Sequence, residues 1–151
     1  MKTAADIIKN KPKTIISVGP DATVYSALQT MVKHGIGSVF VKNRDQIVGI
    51  YTERNLLKDM VKKDFDPKRA VIRDHMTSPL ATVPLDATVL KLQDLILGKR
   101  IRHILVADEK GQIAGVVSAG DIMKTHLNDI SKTLESVSWE YYENWRFKKK
   151  R

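Results

Sequence analysis

The chain has 151 residues, 42% of them hydrophobic, enough to bury a core as one compact domain or as two small repeats that share an interface. It has no cysteine, which excludes a disulfide framework, a thiol nucleophile and a thiolate metal site; no apolar run approaches the roughly 20 residues that span a bilayer, and the N-terminus lacks a signal core, so a cytoplasmic protein with no membrane segment is expected. The formal charge of +9 favours anionic partners, whether nucleotides, nucleic acid or a membrane surface, and does not choose among them.

In chain order, residues 14–18 read as a short strand closed by Pro20. Asp21 is an N-cap candidate for a helix whose apolar face is Val24, Ala27, Leu28, Met31 and Val32 and which ends near Gly35. Two apolar strands, 38–41 and 47–51, flank a turn, and a second helix carries Leu56, Leu57, Met60 and Val61. Residues 64–68, with Pro67, form a linker.

The same order then returns. Residues 81–83 form a leading strand before Pro84, and Asp86 is the matching N-cap candidate. Val89, Leu92, Ile96 and Leu97 make the helix face, 104–107 and 113–117 the strands, and Ile122, Met123, His126 and Leu127 the second helix. Pro20-Asp21-Ala22-Thr23-Val24 recurs as Leu85-Asp86-Ala87-Thr88-Val89, an offset of 86 − 21 = 65, whereas Gly49 recurs as Gly115, an offset of 115 − 49 = 66. The extra residue falls in the turn between the paired strands, where length varies at little cost.

Each repeat closes on one pattern, Gly49-Ile50-Tyr51-Thr52-Glu53-Arg54-Asn55 and Gly115-Val116-Val117-Ser118-Ala119-Gly120-Asp121. An apolar strand stops at a hydroxyl residue, and an acceptor follows three positions later in the first turn of a helix. The N–H groups and positive dipole end of that turn favour a phosphate, the hydroxyl caps the helix or binds the ligand, and a carboxylate accepts two hydrogen bonds from the diol of a ribose. As helix starts alone, Ser118 and Asp121 would need no ligand; Arg102 and His103, just before the strand that hairpins into the motif, add groups suited to phosphate.

The doubled motif and element order resemble a tandem pair of cystathionine-β-synthase (CBS) domains, the Bateman module. The resemblance implies an α+β fold of two strand-helix-strand-strand-helix repeats, residues 4–63 and 69–127, packed sheet to sheet about a pseudo-twofold, with residues 128–151 as a helical extension. It implies a stand-alone regulatory module, a homodimer, binding an adenine nucleotide (AMP, ADP, ATP or a relative such as NAD) in two clefts and signalling to an unknown protein partner. By resemblance, Ser118, Asp121, Arg102, His103, Thr14 and Ile16 serve one cleft and Thr52, Asn55 and Ala81 the other. Gly37 and Ser38 stand where Arg102 and His103 do in the second repeat, and Asn55 replaces the carboxylate. The Asp121 cleft is therefore expected to bind about tenfold or more tightly than its twin.

Catalysis finds little support. Gly115 to Gly120 has P-loop spacing, but Asp121 stands where that motif needs Lys; Gly35-Ile36-Gly37 is followed by Phe40 where a dinucleotide fingerprint needs its third glycine. His34, His75, His103 and His126 show no metal-ligand spacing. A binding protein without cofactor or metal is expected, the nucleotide being its ligand. Beyond the repeats, Leu127, Ile130, Leu134, Val137 and Tyr141 form a heptad-like stripe suited to docking on the module or on a second subunit. Trp139, Tyr142, Trp145 and Phe147 lie among Arg146, Lys148, Lys149, Lys150 and Arg151, a composition that also suits nucleic acid or a membrane interface, although a docked helix with a solvated basic end explains it.

Overall fold

The computed structural model describes residues 2–9, 11–12 and 14–148, with side chains described as far as 137. The order is α1 (Ala4–Ile8), β1 (Ser17–Val18), α2 (Val24–His34), β2 (Ser38–Asn43), β3 (Gln46–Thr52), α3 (Glu53–Met60), a 3-10 turn (Ile72–Asp74), β4 (Thr82–Pro84), α4 (Val89–Lys99), β5 (His103–Ala107), β6 (Ile113–Ser118) and α5 (Ala119–Lys148). Two three-stranded sheets result, β1-β2-β3 and β4-β5-β6, each with a parallel outer pair and an antiparallel hairpin. Both hairpins slip register at corresponding places, Val41/Lys42 and Val106/Ala107. The chain is α+β, built from two repeats with a helical C-terminal segment, as the repeat pattern predicts.

Strand alternation explains the core. Val39, Val41 and Tyr51 face α2 in one cluster, and Ile104, Val106 and Val117 face α4 in its twin. The opposite faces supply Phe40, Ile50 and Leu105, which meet in a third cluster with Ile15, Leu80 and Val116. Because each hairpin is apolar on both faces, it packs between helices and the other sheet and positions the strand ends there.

Each repeat borrows its first segment from elsewhere in the chain. α1 lies in the second repeat: Ala4 is fully buried, Ala4 N–H donates to Ala87 O at 2.8 Å and Ala5 N–H to Leu85 O at 2.9 Å. The 3-10 turn does the same for the first repeat, where Ile72 N–H donates to Ala22 O at 2.9 Å. Two glycines make room for these segments. A Cβ on Gly115 would stand 3.1 Å from Ile8 Cγ2, and one on Gly49 would overlap the Met76 side chain and lie 3.1 Å from Thr77 O.

Three expectations change. The N-caps are Thr23 and Thr88, whose hydroxyls accept from Ser26 N–H and Lys91 N–H, not Asp21 and Asp86. Ala22 N–H donates to Gly19 O and Ala87 N–H to Pro84 O, so both aspartates sit in turns, and Asp21 instead meets the Arg73 guanidinium at 2.5 Å. The leading strands are shorter than residues 14–18 predicts on one side and shifted by one residue on the other. Finally, the segment after residue 127 is no separate element: α5 runs unbroken for 30 residues, about 45 Å. Leu127, Ile130, Leu134 and Val137 lie exposed along it, while Tyr141 and the aromatic-basic end fall outside the described side chains.

Candidate functional site

Thr52 and Ser118 end β3 and β6 in extended or helix-entry backbone, and each caps the helix that follows. Thr52 Oγ1 accepts from Asn55 N–H at 3.3 Å, while Asn55 Oδ1 accepts from Thr52 N–H at 3.1 Å and from its hydroxyl at 2.7 Å. Ser118 Oγ accepts from Asp121 N–H at 3.3 Å, while Asp121 Oδ2 accepts from Ser118 N–H at 2.7 Å and from its hydroxyl at 2.6 Å. The two motifs thus share one geometry.

Their remaining polar atoms differ. Asn55 Nδ2 donates to His75 O at 3.3 Å and to Thr77 Oγ1 at 3.1 Å, so its amide ties the inter-repeat segment to the helix start. A carboxylate there would leave His75 O without this donor, although the Thr77 hydroxyl could turn to donate, which is a structural reason for Asn in this repeat. In the second repeat, Lys11 Nζ sits 2.5 Å from Asp121 Oδ2 and donates to Val116 O at 2.9 Å. Burial pushes the Asp121 carboxyl upward, but the bonds from Lys11 and Ser118 outweigh it and hold the group below its usual range, hence ionised at neutral pH.

Strand register brings Ser38 opposite Thr52 and His103 opposite Ser118. Between them opens a cavity of about 600 Å³. The first motif lines it from Thr52 to Asn55, the second from Ser118 to Gly120, and Pro79, Leu80 and Ala81 give an apolar wall. Four cationic side chains, Arg54, Lys58, Arg100 and Arg102, line it against one acidic residue, Glu53. Glu53 packs over Gly37, where an added Cβ would lie 3.0 Å from the carboxyl carbon. Such an electropositive, half-apolar cleft suits a flat apolar ring bearing phosphate.

Of the residues singled out from sequence, Thr52, Asn55, Ala81, Arg102, His103 and Ser118 share this cavity. Asp121, Thr14 and Ile16 do not line it. Ile16 O accepts from Phe40 N–H at 3.3 Å and Ala81 O from Leu105 N–H at 2.9 Å, so the two leading segments hold equivalent backbone positions, and Thr14 is exposed. Arg102 and His103 stand between both motifs rather than beside the second alone. His103 is half-buried, its Nε2 3.4 Å from Ser38 Oγ and its ring edge-on to Phe40. Burial first, then the nearby Lys11 and Arg102 cations, push its pKa below the ordinary value, so it is a neutral imidazole at pH 7 and not half of a basic pair.

Arg54, Lys58, Arg100 and Lys11 are assigned no ligand role from sequence alone. Arg54 lay within the motif itself; Arg100 enters the cavity because it caps α4 in left-handed backbone, φ 52°. Nothing local marks Lys11, whose place depends on α1 crossing to the second repeat.

A family model for the CBS domain matches residues 4–62 and again 72–128. The chain belongs to the CBS-domain family. The mitochondrial CBS domain-containing protein CBSX3 of Arabidopsis thaliana is 33% identical over 145 residues, 90% of this chain and 70% of that protein. A Methanopyrus kandleri protein of uncharacterised function is 34% identical over 113 residues, and this CBS pair spans 74% of its own length and only 58% of that relative. Among solved structures, a CBS-domain protein of Agrobacterium tumefaciens superposes with TM-score 0.74 at 29% identity, covering 82% of this chain and 98% of that one. A CBS-domain protein of Pyrobaculum aerophilum, solved in complex with AMP, shares the fold with TM-score 0.67 at 20% identity over 80% of this chain and 89% of that one. Among the described residues no helix is long and apolar enough to cross a membrane.

Proposed function

We propose that this CBS pair is a regulatory sensing module that takes an adenine nucleotide between its repeats and passes its occupancy to another protein, with no reaction of its own. The observation that carries the reading is the convergence of Arg54, Lys58, Arg100 and Arg102 on a cavity whose other wall, Pro79 to Ala81, is apolar. The ring of a nucleotide suits the apolar wall and its phosphates suit the guanidinium groups, which grip phosphate in bidentate fashion. The AMP complex of the Pyrobaculum aerophilum protein supports the ligand class. The exposed apolar residues Leu127, Ile130, Leu134 and Val137 on α5, with Leu57, Met60 and Val61 at α3, support a homodimer as the working unit. The test is to denature the purified protein, identify released small molecules by mass spectrometry, and titrate the stripped and refolded protein with AMP, ADP, ATP and NAD. Binding of at least one is expected; binding of none overturns the reading.

A further inference from the structure

Among the described residues the Lys11–Asp121 ion pair has no counterpart in the first motif, where Asn55 meets backbone and hydroxyl groups instead. Lys11 follows α1, which is anchored in the second repeat by Ala4, Ile7 and Ile8, and its backbone N–H donates to Ile8 O at 3.0 Å. The ammonium group is therefore delivered to the end of β6 by a packed element. Its side chain is 33% exposed and that of Asp121 22%, so the pair is only partly screened.

Asp121 Oδ2 already receives three donors, Ser118 N–H, Ser118 Oγ and Lys11 Nζ. A sugar diol that places one hydroxyl on each oxygen of this carboxylate competes with Lys11 for Oδ2. A neutral nucleoside that displaces Lys11 leaves a half-buried ammonium with Val116 O alone; a nucleotide brings its own anion, so the ammonium exchanges one anionic partner for another. The cost of opening the site then falls on nucleosides and is offset for nucleotides.

We propose that Lys11 is a specificity-determining residue of the Asp121 cleft, guarding the carboxylate against uncharged ribosides and admitting ligands that carry phosphate. This rests on the reading that an adenine nucleotide occupies the module, and it adds a discriminating residue that neither motif contains.

The test measures AMP and adenosine affinities by calorimetry for the wild type, Lys11→Met, Lys11→Arg, Asp121→Asn and the Lys11→Met/Asp121→Asn pair. Lys11→Met keeps the aliphatic stem and loses the charge. It should tighten adenosine and weaken AMP, lowering the AMP-to-adenosine affinity ratio by about tenfold or more. Lys11→Arg keeps a cation and should hold the wild-type ratio, which separates charge from folding. In the Asp121→Asn background the same Lys11→Met change should no longer tighten adenosine, because there is no carboxylate to release. An unchanged ratio in Lys11→Met, or equal weakening of both ligands, makes Lys11 a structural strut and overturns the proposal. If AMP fails to bind the wild type at all, the nucleotide reading itself fails and this inference falls with it.

Discussion

Asp59 is the buried charged residue of the first repeat, 3% exposed on α3, and its replacement by Ala tests whether polar contacts brace the cavity. Asp59 Oδ2 accepts from the Tyr51 hydroxyl at 3.0 Å and lies 3.1 Å from His75 Nδ1, while Oδ1 accepts from Lys62 Nζ at 2.5 Å. Lys62 is 58% exposed and returns to water in the variant, so its loss counts for a few tenths of a kcal/mol. Tyr51 is fully buried, and a hydroxyl left there without a partner costs roughly 1–3 kcal/mol. The expected loss is about 2 kcal/mol, or about 4–8 °C in Tm for a chain of this size. Urea unfolding at pH 7 reads it directly. Tyr51→Phe should cost about 1 kcal/mol, and the double variant should fall short of additivity, because the two single changes remove the same bond. Burial raises the Asp59 pKa, but the bonds from Lys62 and Tyr51 and the close approach of His75 prevail and lower it relative to the unfolded chain. A lowered folded pKa means that this contribution is present above the unfolded carboxylate value and is lost as pH falls through the folded one. The gap between wild type and Asp59→Ala should therefore narrow below about pH 4. A variant within about 0.5 kcal/mol of wild type at pH 7, or strict additivity with Tyr51→Phe, would refute the reasoning.

Other predictions concern surfaces and the tail. Replacing Leu134 and Val137 by Asp should convert a dimer to monomer in light scattering, since both side chains lie on the exposed stripe of α5; a dimer with full helical circular dichroism in that variant would place the interface elsewhere. Any nucleic acid binding by the basic end should be weak, unselective and lost at physiological salt, because it would rest on released counterions. A sequence-selective complex that survives that salt and disappears on deleting residues 146–151 would move the function to the tail.

The repeat was legible because the strand-end motif constrains local chemistry twice over, at Gly49 to Asn55 and at Gly115 to Asp121. The α2 stripe was legible because Val24, Ala27 and Met31 fall on one helical face and are buried, whereas Val32, read as part of that face, turns to its edge and is 82% exposed. Asp21 and Thr23 are both capping residue types two positions apart, and local propensity does not separate them. Tertiary pairing does: Thr23 bridges to Val71 and Thr88 to Thr3, which fixes extended backbone at the threonines. The exchange of α1 into the second repeat is non-local, so neither Lys11 beside Asp121 nor the demand for Gly115 under Ile8 could be seen from spacing. His103 was read as basic because sequence carries no burial; its neutral state follows from desolvation and two neighbouring cations.

The central claim, that the cavity recognises an adenine nucleotide through its phosphates, is tested most directly by titrating wild type and Arg102→Ala with ATP, AMP and adenosine. Arg102 lines the cavity between both motifs, and losing a guanidinium–phosphate contact should weaken the two nucleotides by about tenfold or more while changing adenosine little. Nucleotide affinities unchanged in Arg102→Ala, or no binding of ATP or AMP by the wild type, would contradict the account.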